Sequence, residues 1–123
     1  MNFFTRRKIL KSTNPKDLIP VRVYGHDELE GKVIILVPKF ESRWIHVLFP
    51  NTEKLFFRIK LDELGTAVWK NICGKKKISE ISELVINQLG EKAHQHDEIE
   101  NRIIKFMSML YERRYITFQQ FLN

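Results

Sequence analysis

Apolar residues crowd three short runs in the first half of the chain, 32–37 (KVIILV), 44–49 (WIHVLF) and 55–61 (LFFRIKL), each rich in β-branched or aromatic side chains. The polar stretches PKFESR and PNTEK separate them, so the pattern predicts three strands joined in an antiparallel meander. In the third run the period is two. Leu55, Phe57, Ile59 and Leu61 point toward a core, while Phe56, Arg58 and Lys60 point toward solvent. The first two runs are apolar on both faces, which predicts that the N-terminal arm or a second copy of the chain covers the outer one.

At Leu61 the period becomes helical. Asp62 is placed to cap a first helix whose stripe is Leu64, Val68, Trp69 and Ile72, with Gly74 as its left-handed terminator. After the basic turn Lys75, Lys76, Lys77, a second stripe of Ile78, Ile81, Leu84, Val85 and Leu89 stops at Gly90. A third helix opens near His96 or Asp97, buries Ile99, Ile103, Phe106, Met107 and Leu110, and runs out at 113–115. Ahead of the strands, residues 1–31 hold Pro15, Pro20, Gly25 and Gly31 without a sustained period, so most of this arm is expected to be irregular. Within it, 18–24 is a candidate edge strand, because Pro20 bars it from the centre of a sheet. Phe3, Phe4, Arg6, Arg7, Lys8, Ile9 and Leu10 read as a frayed terminus before they read as a docking tail for an enzyme.

At 123 residues, with nine Phe and two Trp, the chain is of single-domain size. The organisation expected is a basic arm (1–31), one domain (32–118) and a short tail (119–123). No stretch approaches the ~20 apolar residues of a membrane span, and Arg6, Arg7 and Lys8 break any secretory signal, so the expectation is a cytoplasmic protein. The formal charge of +6 is lopsided: residues 1–60 hold twelve basic against six acidic side chains, and the remainder nine against nine. A basic half attracts nucleic acid, an anionic membrane or an acidic peptide alike.

Chemistry is hard to find. Cys73 has no neighbouring His and sits in an apolar helical pattern, which predicts a buried structural thiol. Of His26, His46, His94 and His96, the last two with Asp97 offer only a weak surface metal site, and the five glycines form no phosphate-binding loop. No catalytic residue and no cofactor are expected. Lys75, Lys76 and Lys77 are candidate phosphate contacts, but Asp97, Glu98 and Glu100 in the first turn of the third helix would repel a nucleic-acid backbone.

The stretch LDELGTAVWKNICGKKKISEI at 61–81, followed by an amphipathic helix and LYERRYI, resembles the family of PQQ synthesis protein D (PqqD). Leu61, Asp62, Gly65, Val68, Trp69, Gly74, Ile78, Glu80 and Ile81 match its pattern. Lys77 departs from it, standing where Thr usually caps the second helix. The resemblance covers about residues 30–118 and looks like a divergent branch. It implies an α+β, winged-helix-like fold of a three-stranded antiparallel meander followed by three helices. It also implies a precursor-peptide recognition element, which binds the leader of a ribosomally made peptide and presents it to a modifying enzyme such as a radical S-adenosylmethionine protein.

On that reading an extended leader adds to the open edge of the third strand at Leu55, Phe56, Phe57, Arg58, Ile59 and Lys60, and lies against Ile103, Phe106 and Leu110 of the third helix. Arg58 and Lys60 suit an acidic leader. The alternatives are a winged-helix nucleic-acid-binding protein and, more distantly, a small enzyme; a homodimer is compatible with each.

Overall fold

The computed structural model describes residues 2–39, 55–90 and 96–122. Among these residues the fold is α+β, with a three-stranded antiparallel sheet and four α-helices. The strands are β2 (His26–Leu29), β3 (Lys32–Pro38) and β4 (Phe56–Lys60), in that spatial order, and three helices follow: α2 (Glu63–Asn71), α3 (Ile78–Leu89) and α4 (His96–Glu112). The meander therefore stands, with a different membership. The expected strand at 44–49 lies outside the described residues, and β3 pairs directly with β4, Ile35 opposite Ile59 and Val37 opposite Phe57.

The strand on the far side of β3 comes from the arm, which is far from irregular. Glu30 and Gly31, at φ 53° and 78°, make the two-residue turn with two left-handed positions that best fits a twisted hairpin. His26 then lies opposite Ile35 and Leu29 opposite Lys32. The arm also forms α1 (Phe3–Ser12), capped by the Asn2 side chain, which accepts from the Thr5 N–H at 2.8 Å. Its candidate strand is real but short: β1 (Pro20–Arg22) pairs antiparallel with β5 (Ile116–Phe118) in a second, two-stranded sheet rather than covering β3.

Residues directly opposite in an antiparallel pair share a face. Val33, Ile35 and Val37 therefore lie with Leu61, Ile59 and Phe57 on the helix side, where Val33 and Ile35 join Val68, Trp69, Ile81, Ile103, Met107 and Leu110 in one core. On the opposite face Ile34 is 4% exposed, so its burial needs no second copy of the chain. The arm helix does not lie there: its Ile9 and Leu10 are half-buried against the core.

The helices follow their stripes, with three departures. First, α2 ends at Asn71 on an extended cap at Ile72, before Gly74 is reached, and so Cys73 is exposed rather than buried. Second, α3 starts at Ile78 without a Thr cap, and the Glu80 carboxylate, accepting from the Lys77 N–H at 3.1 Å, satisfies one free donor instead. Third, Leu84 is 37% exposed, and Ile86 takes the expected place in the core. Gly90 ends α3 in the left-handed region at φ 67°.

The pairing of Leu61, Asp62 and Gly65 has a physical basis. Asp62 caps α2 by accepting from the Gly65 N–H at 2.7 Å. A Cβ on Gly65 would stand 3.1 Å from the Asp62 carboxylate, 3.2 Å from Leu61 Cβ and 3.3 Å from the Phe106 ring, so the cap and the crossing of α4 both call for glycine.

Candidate functional site

The backbone of β4 divides its polar groups by parity. Leu61 donates to the Val33 carbonyl at 2.9 Å and Lys39 to the Leu55 carbonyl at 2.7 Å, so in this register the odd residues of β4 face β3. The N–H and C=O groups of Phe56, Arg58 and Lys60 face the other way. Phe56 already has a partner. Beside Arg58 and Lys60, no strand among the described residues pairs on that side.

The side chains expected at this edge are distributed unevenly. Leu55 is buried, Ile59 and Phe56 are half-buried, and Arg58 and Lys60 are exposed. Phe57 reverses its expected role: it points to the helix side but is 55% exposed, with the Lys39 ammonium 5.3 Å from its ring centre. The helices bury the end of the sheet near Val33 and Leu61, and Phe57 lies beyond their reach. On α4, Ile103 and Leu110 are wholly buried and present no surface, whereas Phe106 is half-buried. The expected residues that face outward near the edge are thus Arg58, Lys60, Phe57 and, in part, Phe106.

Electrostatics distinguish the two edges of the sheet. β2 carries Asp27 and Glu28, with Glu30 in its turn, whereas β4 carries Arg58 and Lys60. Arg58 and Asp27 meet across the exposed face at 3.4 Å, and Glu28 pairs with Lys70 of α2 at 3.0 Å. Both are exposed pairs of small energy.

The weak metal site expected around His96 takes a different form. His94 lies outside the described residues, and Asp97 reaches only 3.7 Å from His96 Nδ1. Instead Glu83 of α3 and Glu100 of α4 converge on His96, with one ligand atom of each residue within 4.8 Å of the others. Glu83 Oε1 lies 2.6 Å from His96 Nε2, and the Lys16 ammonium lies 2.7 Å from Glu100 Oε1. Lys16 supplies a cation of its own to the cluster, which ties the turn at Pro15–Asp17 to two helices.

The hydrogen bond to Glu83 is the largest cause holding the His96 pKa above its ordinary 6.5, with Glu83, Glu100 and Asp97 adding charge attraction and desolvation opposing. A histidine raised in the folded state contributes stability that is fully present below its unfolded pKa of about 6.5. That contribution is lost as pH rises through the folded value. We expect an NMR titration of the His96 ring to give a midpoint above the ordinary value and Glu83→Gln to lower it; an unchanged midpoint in the variant would show that Glu83 is not the partner.

His26 is the residue that sequence reading passed over. Its Nδ1 accepts from the indole N–H of the fully buried Trp69 at 3.1 Å, and the Arg22 guanidinium lies 3.4 Å from the same nitrogen. This joins β2, the end of β1 and α2, and is structural.

No helix among the described residues is long and apolar enough to cross a membrane. Comparison with known proteins returns no matching family model, no similar curated protein and no similar solved structure.

Proposed function

We propose that this chain is a non-catalytic peptide-binding module, built on a winged-helix-like α+β fold. More particularly, in keeping with its resemblance to the PqqD family, it holds the leader of a ribosomally made precursor peptide by strand addition and presents it to a modifying enzyme. The observation that carries this reading is the outer edge of β4, where the backbone groups of Arg58 and Lys60 face away from β3 beside two exposed cations. An extended peptide gains sequence-tolerant backbone bonds there, and Phe57 and Phe106 offer apolar contacts for alternate side chains. The acidic residues of the β2 edge disfavour the same ligand on the other side.

The test is amide exchange with a panel of short acidic peptides. The Arg58 and Lys60 amides are expected to gain protection, and Arg58→Glu to leave the fold intact while weakening binding by about 0.5–1 kcal/mol, the range of an exposed pair. Protection confined to β2 or to α1 would overturn the choice of edge. Duplex DNA binding with a steep salt dependence would favour a nucleic-acid-binding protein, with the exposed Lys75 and Lys77 as its first phosphate contacts.

A further inference from the structure

The N-terminal helix α1 stands away from the body. It has no buried residue, its contact with the core is through the half-buried Ile9 and Leu10, and Phe3 is 61% exposed. Between α1 on one side and the end of α4 with β5 on the other, it leaves a groove of about 630 Å³. That is within the range of about 300–1,000 Å³ usual for ligand pockets. Its apolar walls are Phe3, Leu10, Tyr24 and Tyr111, and its charged rim is Arg6, Arg7 and Arg114 against the single carboxylate of Glu112. None of the three arginines has an ion pair or a side-chain hydrogen bond among the described residues. Three exposed guanidiniums without a protein partner, beside aromatic walls, complement an anionic ligand with an apolar body.

The backbone gives an independent reason to look at Arg114. α4 ends in a Schellman motif, in which Tyr115 donates to the Leu110 carbonyl at 2.8 Å and Arg114 to the Tyr111 carbonyl at 2.9 Å. The motif holds Arg114 at φ 65°, a conformation that favours glycine. The chain uses Gly90 for the corresponding place at the end of α3. At the end of α4 it places a strained arginine, and that arginine lines the groove.

We propose that this groove is a docking site for an acidic segment of a partner protein, one that carries an aromatic or branched apolar side chain between carboxylates. The site is built from α1, the chain after β1, the end of α4 and β5; no element of the three-stranded sheet contributes, so it is separate from the β4 edge. The rim arginines receive the carboxylates, and Tyr24, Tyr111 and Leu10 receive the apolar side chain.

The test uses a fluorescein-labelled dodecapeptide of alternating Glu or Asp with Phe or Leu, and a control in which Lys replaces the acids. Anisotropy should show salt-sensitive binding of the acidic peptide alone. Arg114→Gly separates binding from folding. It is expected to raise Tm by on the order of 5 °C, because glycine relieves the left-handed strain, yet to weaken the peptide by about threefold to fivefold. The double reversal Arg6→Glu and Arg7→Glu, on a helix with no buried residue, should weaken it by at least about tenfold without changing Tm. Each measurement is repeated in an Arg58→Glu background, where the β4 edge is weakened and the losses through the groove arginines should persist at the same fold. Three results would each overturn the proposal: equal binding of the basic peptide, no loss through the groove arginines in that background, or displacement of the peptide by phosphatidylglycerol vesicles, which would mark a lipid-binding surface instead.

Discussion

Trp69→Ala will lower stability by about 3–5 kcal/mol, the cost of emptying a large buried aromatic site, and Tm by on the order of 10–20 °C. A domain of this size has only about 5–15 kcal/mol in hand. Trp69 is 0% exposed and sits in the core beside Val68, Ile72 and Ile35, so its removal leaves a void that neighbours from a sheet and from helices cannot jointly close. Its indole N–H also fixes β2 through His26 Nδ1 at 3.1 Å, with the two rings edge to face at 6.2 Å. His26→Ala therefore serves as a companion. It keeps the ring but strands a buried donor, at about 1–3 kcal/mol. Chemical denaturation of both variants is the measurement. A Trp69→Ala protein within about 1 kcal/mol of the parent would mean that the site repacks and that Trp69 is not central to the core.

The three helices that follow the sheet were readable in the sequence because each carries its own stripe, and α3 carries its own stop as well. Ile99, Ile103, Met107 and Leu110 recur at helical spacing on α4, and Gly90 ends α3 where it should. The sequence overextends α2 because Gly74 has the character of a terminator, although the chain leaves the helix at an extended Ile72 whose side chain is still buried. That offset of two residues is what turns Cys73 outward.

The hairpin of β2 and β3 was harder to see. HDEL offers one apolar residue and no alternation, since an edge strand with two wet faces has no hydrophobic period, and its identity rests on the turn at Glu30 and Gly31. Phe57 shows the complementary limit. A period of two assigns a residue to a face, but how far the helices extend over that face is a matter of tertiary packing. For the same reason the convergence of Glu83, Glu100 and Lys16 around His96 has no local signature: the three come from two helices and a turn far apart in sequence. At the candidate peptide edge, the sequence identified the strand and its two cations. Its helical stripe also put Ile103 and Leu110 in the core, where both are fully buried.

Thr66→Val will cost about 1–3 kcal/mol although it changes no volume, because it strands a buried donor. The register turns the odd residues of β3 toward β4, and Val33 accepts there from the Leu61 N–H at 2.9 Å. Its own N–H is met by the Thr66 hydroxyl at 3.0 Å, from one turn inside α2. Val33 is 0% exposed and Thr66 6%, so no solvent can take over when the hydroxyl is lost. A single side-chain oxygen thus ties the sheet to the helix that follows it. Thr66→Ser keeps the acceptor and sacrifices one methyl, a smaller loss of about 0.8 kcal/mol. The expected order of stability is parent, Ser, Val. Amide exchange gives a local reading alongside denaturation, since the Val33 N–H should exchange faster in Thr66→Val than in Thr66→Ser. If serine proves as damaging as valine, the methyl and its packing hold this junction, and the hydroxyl does not.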